Sequence, residues 1–242
     1  MGRDSQSKVV LRRRISSETL AAMIDHALLT PNLTNGDILR GCQEARDYGL
    51  FAVCVNPANV ELAARALRGS NVRVCSVISF PFGLSTTDSK VYEAKLALSQ
   101  GAVEVDMVMN YSALRSNQTQ IVQDDIRRVV EAAKGVSSGT VVKVILENCY
   151  LTDEQKVNAC TMAVQAGADF VKTSTGFGAS GATAQDIKLM RHTVGPKIGV
   201  KAAGGVRTIE QVMEMIDAGA TRIGTSSSVS IMRSLEIGDY RS

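Results

Sequence analysis

Four glycines constrain this chain more than any other feature. Tyr48-Gly49-Leu50, Gln100-Gly101-Ala102, Ala166-Gly167-Ala168 and Ala218-Gly219-Ala220 each stand where a helical pattern stops and an apolar, β-type run begins. A glycine at that point can take the left-handed conformation that closes a helix, after which the chain is free to extend. Five residues beyond these glycines lie Cys54, Asp106, Lys172 and Gly224, so a polar or otherwise special residue recurs at the carboxyl end of the strand.

The alternation covers almost the whole chain. A first helix, capped by Ser16 or Ser17, precedes strands predicted at Ile24–Leu29, Leu50–Val55, Val72–Ser79, Val103–Met109, Val141–Glu147, Asp169–Thr173, Ile198–Ala203 and Thr221–Gly224. Helices are predicted between them, at Asp37–Tyr48, Ala58–Leu67, Ser89–Ser99, Gln120–Lys134, Asp153–Gln165, Thr183–His192 and Ile209–Ala218, with Ser227–Leu235 after the last strand. Thr152-x-x-Gln155 and Thr208-x-x-Gln211 read as capping boxes. Eight βα steps with short links predict an α/β chain folded as a closed (β/α)8 TIM barrel with an extra N-terminal helix. The barrel domain is expected over residues 16–236, with 1–15 as a lead-in and 237–242 as a tail. A doubly wound open sheet is the alternative, disfavoured because no G-x-G-x-x-G follows the first strand.

Composition narrows the function. The chain has 242 residues, 45% of them hydrophobic, enough for one large core or two small ones, and a net charge of +3 spread among acids. That excludes neither enzyme nor small-anion binding, but it gives no footprint for nucleic acid or an anionic membrane. No apolar run approaches the ~18–20 residues of a membrane span. Val9–Leu11 is too short for a signal-peptide core, and Arg12–Arg14 reads as a solvated lead-in, with an organellar leader as the alternative. Cys42, Cys54, Cys75, Cys149 and Cys160 form no C-x-x-C pair. They read as reduced thiols of a cytoplasmic protein, with neither a zinc site nor a disulfide framework.

The chemistry lies at the strand ends. Lys172 and Lys201 close neighbouring apolar runs, and parallel neighbours lie roughly 5 Å apart, so the two amines are expected to share one site. Glu104 and Asp106 fall on the face of their strand opposite Val105, Met107 and Met109, and Lys143 lies on the strand between theirs and that of Lys172. Crowded cations and desolvation lower a lysine's pKa, and a drop of ~3 units is needed for a free amine at neutral pH. Such an amine attacks a carbonyl carbon and forms an imine. Each lysine taken singly also reads as a snorkelling or ion-paired residue, and Asp106 as an ion-pair partner, a proton-transfer group, or both. Cys54 reads as a small buried side chain and His192 as a solvated one. Gly204-Gly205, and Gly224 through Ser226 and Ser227, would offer backbone N–H groups to a phosphate. Thr175-Gly176 would add a donor pair, and Arg207 a counter-ion unless it pairs with Glu210.

Taken together, Asp25-His26 with Leu28-Leu29, Phe51-Ala52-Val53-Cys54, Phe80-Pro81-Phe82-Gly83, Glu104-Val105-Asp106, Lys143 to Glu147, Ala168 to Gly176 and Val200 to Thr208 resemble the 2-deoxyribose-5-phosphate aldolase family. The likeness runs from about residue 20 to 235, and the K-T-S-T-G and K-x-A-G-G-V-R-T elements carry most of it. The resemblance implies a class I, metal-free lyase that reversibly cleaves 2-deoxyribose 5-phosphate to glyceraldehyde 3-phosphate and acetaldehyde in deoxyribonucleoside catabolism. It implies Lys172 as the Schiff-base lysine, Lys201 as its perturbing partner and Asp106 as a proton relay. Asp25, Cys54, Lys143, Thr175, Gly176, Gly204, Gly205, Arg207, Gly224, Ser226 and Ser227 are the expected substrate-binding residues, and a homodimer the expected assembly. Two positions depart from the family pattern: Ala27 stands where a threonine is usual, and Tyr240 is followed by Arg241-Ser242. Another imine-forming aldolase or transaldolase, or a phosphosugar-binding relative without catalysis, are the alternatives.

Overall fold

The computed structural model describes residues 15–237, so the lead-in, apart from Ile15, and the tail from residue 238 on, with Tyr240, lie outside the described residues. Eight parallel strands, β1 (Ile24–Leu28), β2 (Ala52–Val55), β3 (Arg73–Ile78), β4 (Glu104–Val108), β5 (Val141–Ile145), β6 (Phe170–Lys172), β7 (Gly199–Ala203) and β8 (Arg222–Thr225), close into a barrel in chain order. β1 pairs with β8, through Asp25 opposite Gly224, and no edge is left open. The predicted barrel is the observed one. The expected N-terminal helix is a short one, α1 (Ser17–Ala21), capped by Ser16, whose hydroxyl accepts from the Thr19 N–H.

The remaining helices are α2 (Asn35–Asp47), α3 (Val60–Ala66), α4 (Thr87–Ser99), α5 (Tyr111–Arg115), α6 (Thr119–Val136), α7 (Asp153–Gln165), α8 (Ala184–Val194), α9 (Ile209–Asp217) and α10 (Ser228–Ile237). Both expected capping boxes form, and Thr34 with Asp37 makes a third. All four helix-ending glycines have positive φ: Gly49 at 61°, Gly101 at 109°, Gly167 at 84° and Gly219 at 112°. Predicted strands overrun the observed ones at their ends, because apolar residues continue past the last ladder hydrogen bond.

Alternation along the strands divides the buried residues into two layers. Outward-facing Val105, Met107, Val142, Val144, Val171 and Val200 pack with Ile126, Val129, Ile187 and Val212 of the helices into one apolar shell. The inward positions are different: Asp25, Glu104, Asp106, Lys143, Lys172, Lys201 and Arg222 are all buried inside the barrel. No helix among the described residues is long and apolar enough to cross a membrane.

Candidate active site

Register places the charges at matched heights. Lys172 lies opposite Lys201, Asp106 opposite Lys143, and Lys201 opposite Arg222. Asp106 is the hub. Its Oδ2 accepts from Lys172 Nζ and from Lys201 Nζ, both at 2.8 Å, and its Oδ1 accepts from Lys143 Nζ at 2.7 Å and from the Cys75 thiol at 3.2 Å. Burial works to protonate this carboxyl, but Lys143, Lys172 and Lys201 outweigh it and hold it well below the usual carboxylate range.

Asp25 is the second shared carboxylate. One of its oxygens takes Lys201 in a short contact, and the other takes Arg222 Nη1 at 2.9 Å. Burial opposes its charge, yet Lys201, Lys143 and Arg222 keep its pKa lowered. Lys201 correspondingly does not behave as crowding of amines predicts. Burial alone would lower its pKa, but Asp106 and Asp25 together raise it above the ordinary lysine value. The expected like-charge pressure from Lys201 is therefore answered by two carboxylates. Gly224 makes this possible, since a Cβ there would lie 2.9 Å from Lys201 Cε.

Above the hub opens a cavity of about 320 Å³, lined by Asp25, Ala27, Cys54, Lys172, Thr175, Gly176, Lys201, Gly204, Gly205, Arg207, Gly224 and Ser226, among others. Most of the expected substrate-binding residues therefore meet on one wall. Ala27, the departure noted in the sequence, also faces this space. Gly204 and Gly205 have φ of 85° and 76°, a turn open to glycine because L side chains rarely adopt it.

Three expectations need correction. Lys143 does not reach the cavity: it is fully buried beneath Asp106, with its Nζ 2.5 Å from Glu104 Oε2. Glu104 and Asp106 take its ammonium group, and its pKa stands well above the lysine norm despite burial because Asp106, Cys75, Asp25 and Glu104 favour its charge. Ser227 does not line the main cavity, and its N–H is given to Thr225 Oγ1 at 2.9 Å. Thr175 lines the cavity but has no donor to spare, because both its hydroxyl and its N–H go to the Glu147 carboxylate. His192 and Cys54 sit as read: Cys54 is almost fully buried, at the cavity wall.

Sequence reasoning missed Arg222, Cys75 and the tie between Glu147 and Thr175. Arg222 had a signal, since it stands two residues before Gly224 and so shares its inward face. Among the described residues, Cys54, Cys75 and Asp106 bring three metal-competent atoms within 4.8 Å of one another. The lone pairs of Asp106 that a metal would use already accept from three ammonium groups and a thiol.

The model of the DeoC/LacD family aldolases matches residues 19–233. The chain belongs to that family. A deoxyribose-phosphate aldolase of Carboxydothermus hydrogenoformans is 54% identical over 225 residues, which is 93% of this chain and 99% of the relative. A solved structure from Coccidioides immitis overlays with a TM-score of 0.88 at 41% identity, covering 92% of this chain and 88% of the other. The deoxyribose phosphate aldolase of Aeropyrum pernix, described as a unique tetramer, overlays with a TM-score of 0.85 at 35% identity, covering 92% and 94%.

Proposed function

We propose that this aldolase cleaves 2-deoxyribose 5-phosphate reversibly to glyceraldehyde 3-phosphate and acetaldehyde, through an imine on Lys172. The observation that carries this reading is the pair of amines on one oxygen: Lys172 and Lys201 each reach Asp106 Oδ2 at 2.8 Å, at the foot of the cavity. Of the two, Lys172 holds a single carboxylate and Lys201 holds two, so Lys172 gives up the fewer ion-pair contacts on becoming the free amine. The amine adds to the C1 aldehyde of the open-chain sugar, and loss of water leaves a protonated imine. Removal of the 3-hydroxyl proton then breaks the C2–C3 bond, its electron pair moving into the imine to give an enamine. Glyceraldehyde 3-phosphate leaves, C2 takes a proton, and water returns acetaldehyde and the amine. The shared bonds of Lys172 and Lys201 to Asp106 Oδ2 support Lys201 and Asp106 as the groups that carry these protons.

The lining of the same cavity supports phosphate recognition. The backbone at Gly204-Gly205 and at Gly224 to Ser226, with Arg207 beside it, suits a dianion at the barrel mouth. The three ammonium groups supply the positive charge that a metal would bring, which supports a metal-independent reaction. The family's named relatives support the substrate, and the tetramer of the Aeropyrum relative supports a homo-oligomer, which we read as a dimer of cytoplasmic chains; sedimentation velocity decides its size.

Borohydride reduction in the presence of acetaldehyde tests the central step. A mass gain of one ethyl group at Lys172, absent in Lys172→Ala, is expected, and an unlabelled wild-type protein would remove the mechanism. Assays across phosphosugars would expose a different imine-forming aldolase.

A further inference from the structure

We propose that Glu104 and Arg222, at the floor of the barrel, are positioning residues that set the pH range in which the amine above them is free to attack, Arg222 through Asp25 and Glu104 through Lys143. This rests on the imine chemistry assigned to Lys172 and asks what controls it. Neither residue lines the cavity, so whatever they do to the reaction they do through the groups they hold.

Two lines of contact rise from the floor. Arg222 Nη1 donates to Asp25 Oδ1 at 2.9 Å, and the other Asp25 oxygen takes Lys201. Glu104 Oε2 lies 2.5 Å from Lys143 Nζ, which in turn donates to Asp106 Oδ1 at 2.7 Å. The lines meet at Asp106, whose Oδ2 holds both upper amines, and they are joined below by Arg222 Nη1 and Glu104 Oε2 at 3.3 Å. The floor is held in place: the Arg222 guanidinium lies 3.5 Å from the centre of the Phe51 ring and 5.2 Å from that of Phe170.

Counting charges shows what the floor does. The buried, contact-linked members are Lys143, Lys172, Lys201 and Arg222 against Asp25, Glu104 and Asp106, one cation in excess among the described residues. The cluster becomes neutral when one amine gives up its proton, which is the state imine formation needs. The other titratable or charged groups around Lys172 are Cys54 on β2, Cys75 and the half-exposed Arg73 on β3, Glu147 beyond β5, and Arg207 at the mouth. None of them answers the excess by direct contact with an upper amine. Glu104→Gln therefore raises the excess to two cations and eases the loss of that proton. Arg222→Gln abolishes the excess and retains the proton.

The test is the pH dependence of kcat/KM with 2-deoxyribose 5-phosphate, alongside borohydride trapping of acetaldehyde at each pH. Glu104→Gln is expected to move the acid limb of both profiles down by about one pH unit and Arg222→Gln up by about one, each a tenfold change in rate on that limb. Arg222→Lys keeps the charge and is expected to restore a profile close to wild type. Should Arg222→Gln fail to fold, Arg73→Gln, at the half-exposed partner of Glu104, carries the same sign with a smaller shift. Limbs that stay put, or that move the same way in the Gln variants, would overturn the proposal. Wild-type protein that traps no acetaldehyde at any pH would instead defeat the imine chemistry itself.

Discussion

Lys90 and Lys201 are equally hidden from water, yet they sit in opposite kinds of surroundings. Lys90, on α4 in the helical layer, has one carboxylate to itself: its Nζ lies 2.5 Å from Asp125 Oδ2 and donates to the Val108 carbonyl at 3.0 Å. Burial lowers its pKa, and Asp125 only partly offsets that. Lys201, inside the barrel, shares Asp25 and Asp106 with two other lysines and an arginine, and its pKa is raised. An isolated buried pair balances desolvation against one partner, whereas a shared network spreads each carboxylate over several cations. The first arrangement fastens α4 and α6 to the end of β4. The second keeps charged groups at the edge of a cavity, as the proposed proton transfers require.

The division predicts that chemistry and stability separate by layer. Lys172→Met is expected to cost turnover on the order of 10⁴-fold or more while leaving the thermal unfolding transition close to wild type, because Asp106 keeps Lys143 and Lys201. Steady-state assay with differential scanning calorimetry checks both halves. Lys90→Met should do the reverse, leaving Asp125 buried without its cation and costing about 3–5 kcal/mol in urea denaturation, with kcat/KM of the folded protein within about threefold. Lys90→Met combined with Asp125→Leu should recover most of that loss. A Lys90→Met protein that melts normally but has no activity would erase the distinction between layers.

Much of this division was legible in the chain. The helix Asp153–Gln165 was readable to the residue because Thr152 and Gln155 cap it and glycine ends it, and the inward aspect of Glu104 and Asp106 followed from strand alternation. Helix α5 was not, since five residues after Asn110 carry too little periodicity to stand out. Site membership followed from position at strand ends, but partners did not. Arg222 meets Asp25 across 197 residues of chain, and Lys143 meets Cys75 across 68. Nothing local encodes which cation takes which oxygen, and so the sign of the Lys201 shift could not be read from two neighbouring lysines.

His26 sharpens the comparison from the helical side. It leaves β1 toward the helices, where its Nδ1 lies 2.8 Å from Ser228 Oγ, a hydroxyl that is also within 3.2 Å of the Thr225 carbonyl. Burial pushes its pKa down to about 4, though Glu44 lies 3.6 Å from Nε2. The unfolded chain binds a proton near pH 6.5 and the folded one does not until about 4, so stability falls as pH drops between those values and this contribution is flat below them. The expected loss is about 3 kcal/mol, read from urea midpoints across that range. His26→Gln should flatten the slope. The cluster carboxylates act in a different window, since the lowered pKa of Asp106 and Asp25 adds stability that is lost only as pH falls below about 4.

The smallest expected effects separate geometry from charge. Gly224 has an ordinary backbone conformation, so alanine there meets no backbone strain; what it meets is Lys201 Cε at 2.9 Å and Ala203 Cβ at 3.1 Å. The lysine arm must shift by a few tenths of an ångström, and displacing the group proposed to handle protons by that much is expected to lower kcat about tenfold while KM changes less. At Gly135, in α6, an added Cβ would find nothing within 4 Å, so Gly135→Ala should leave both constants alone and raise stability by about 0.5–1 kcal/mol. If Gly224→Ala behaved like Gly135→Ala, the interior network would tolerate movement as freely as the outer helices do, and the shared hydrogen bonds to Asp106 would not be what holds the two amines in working register.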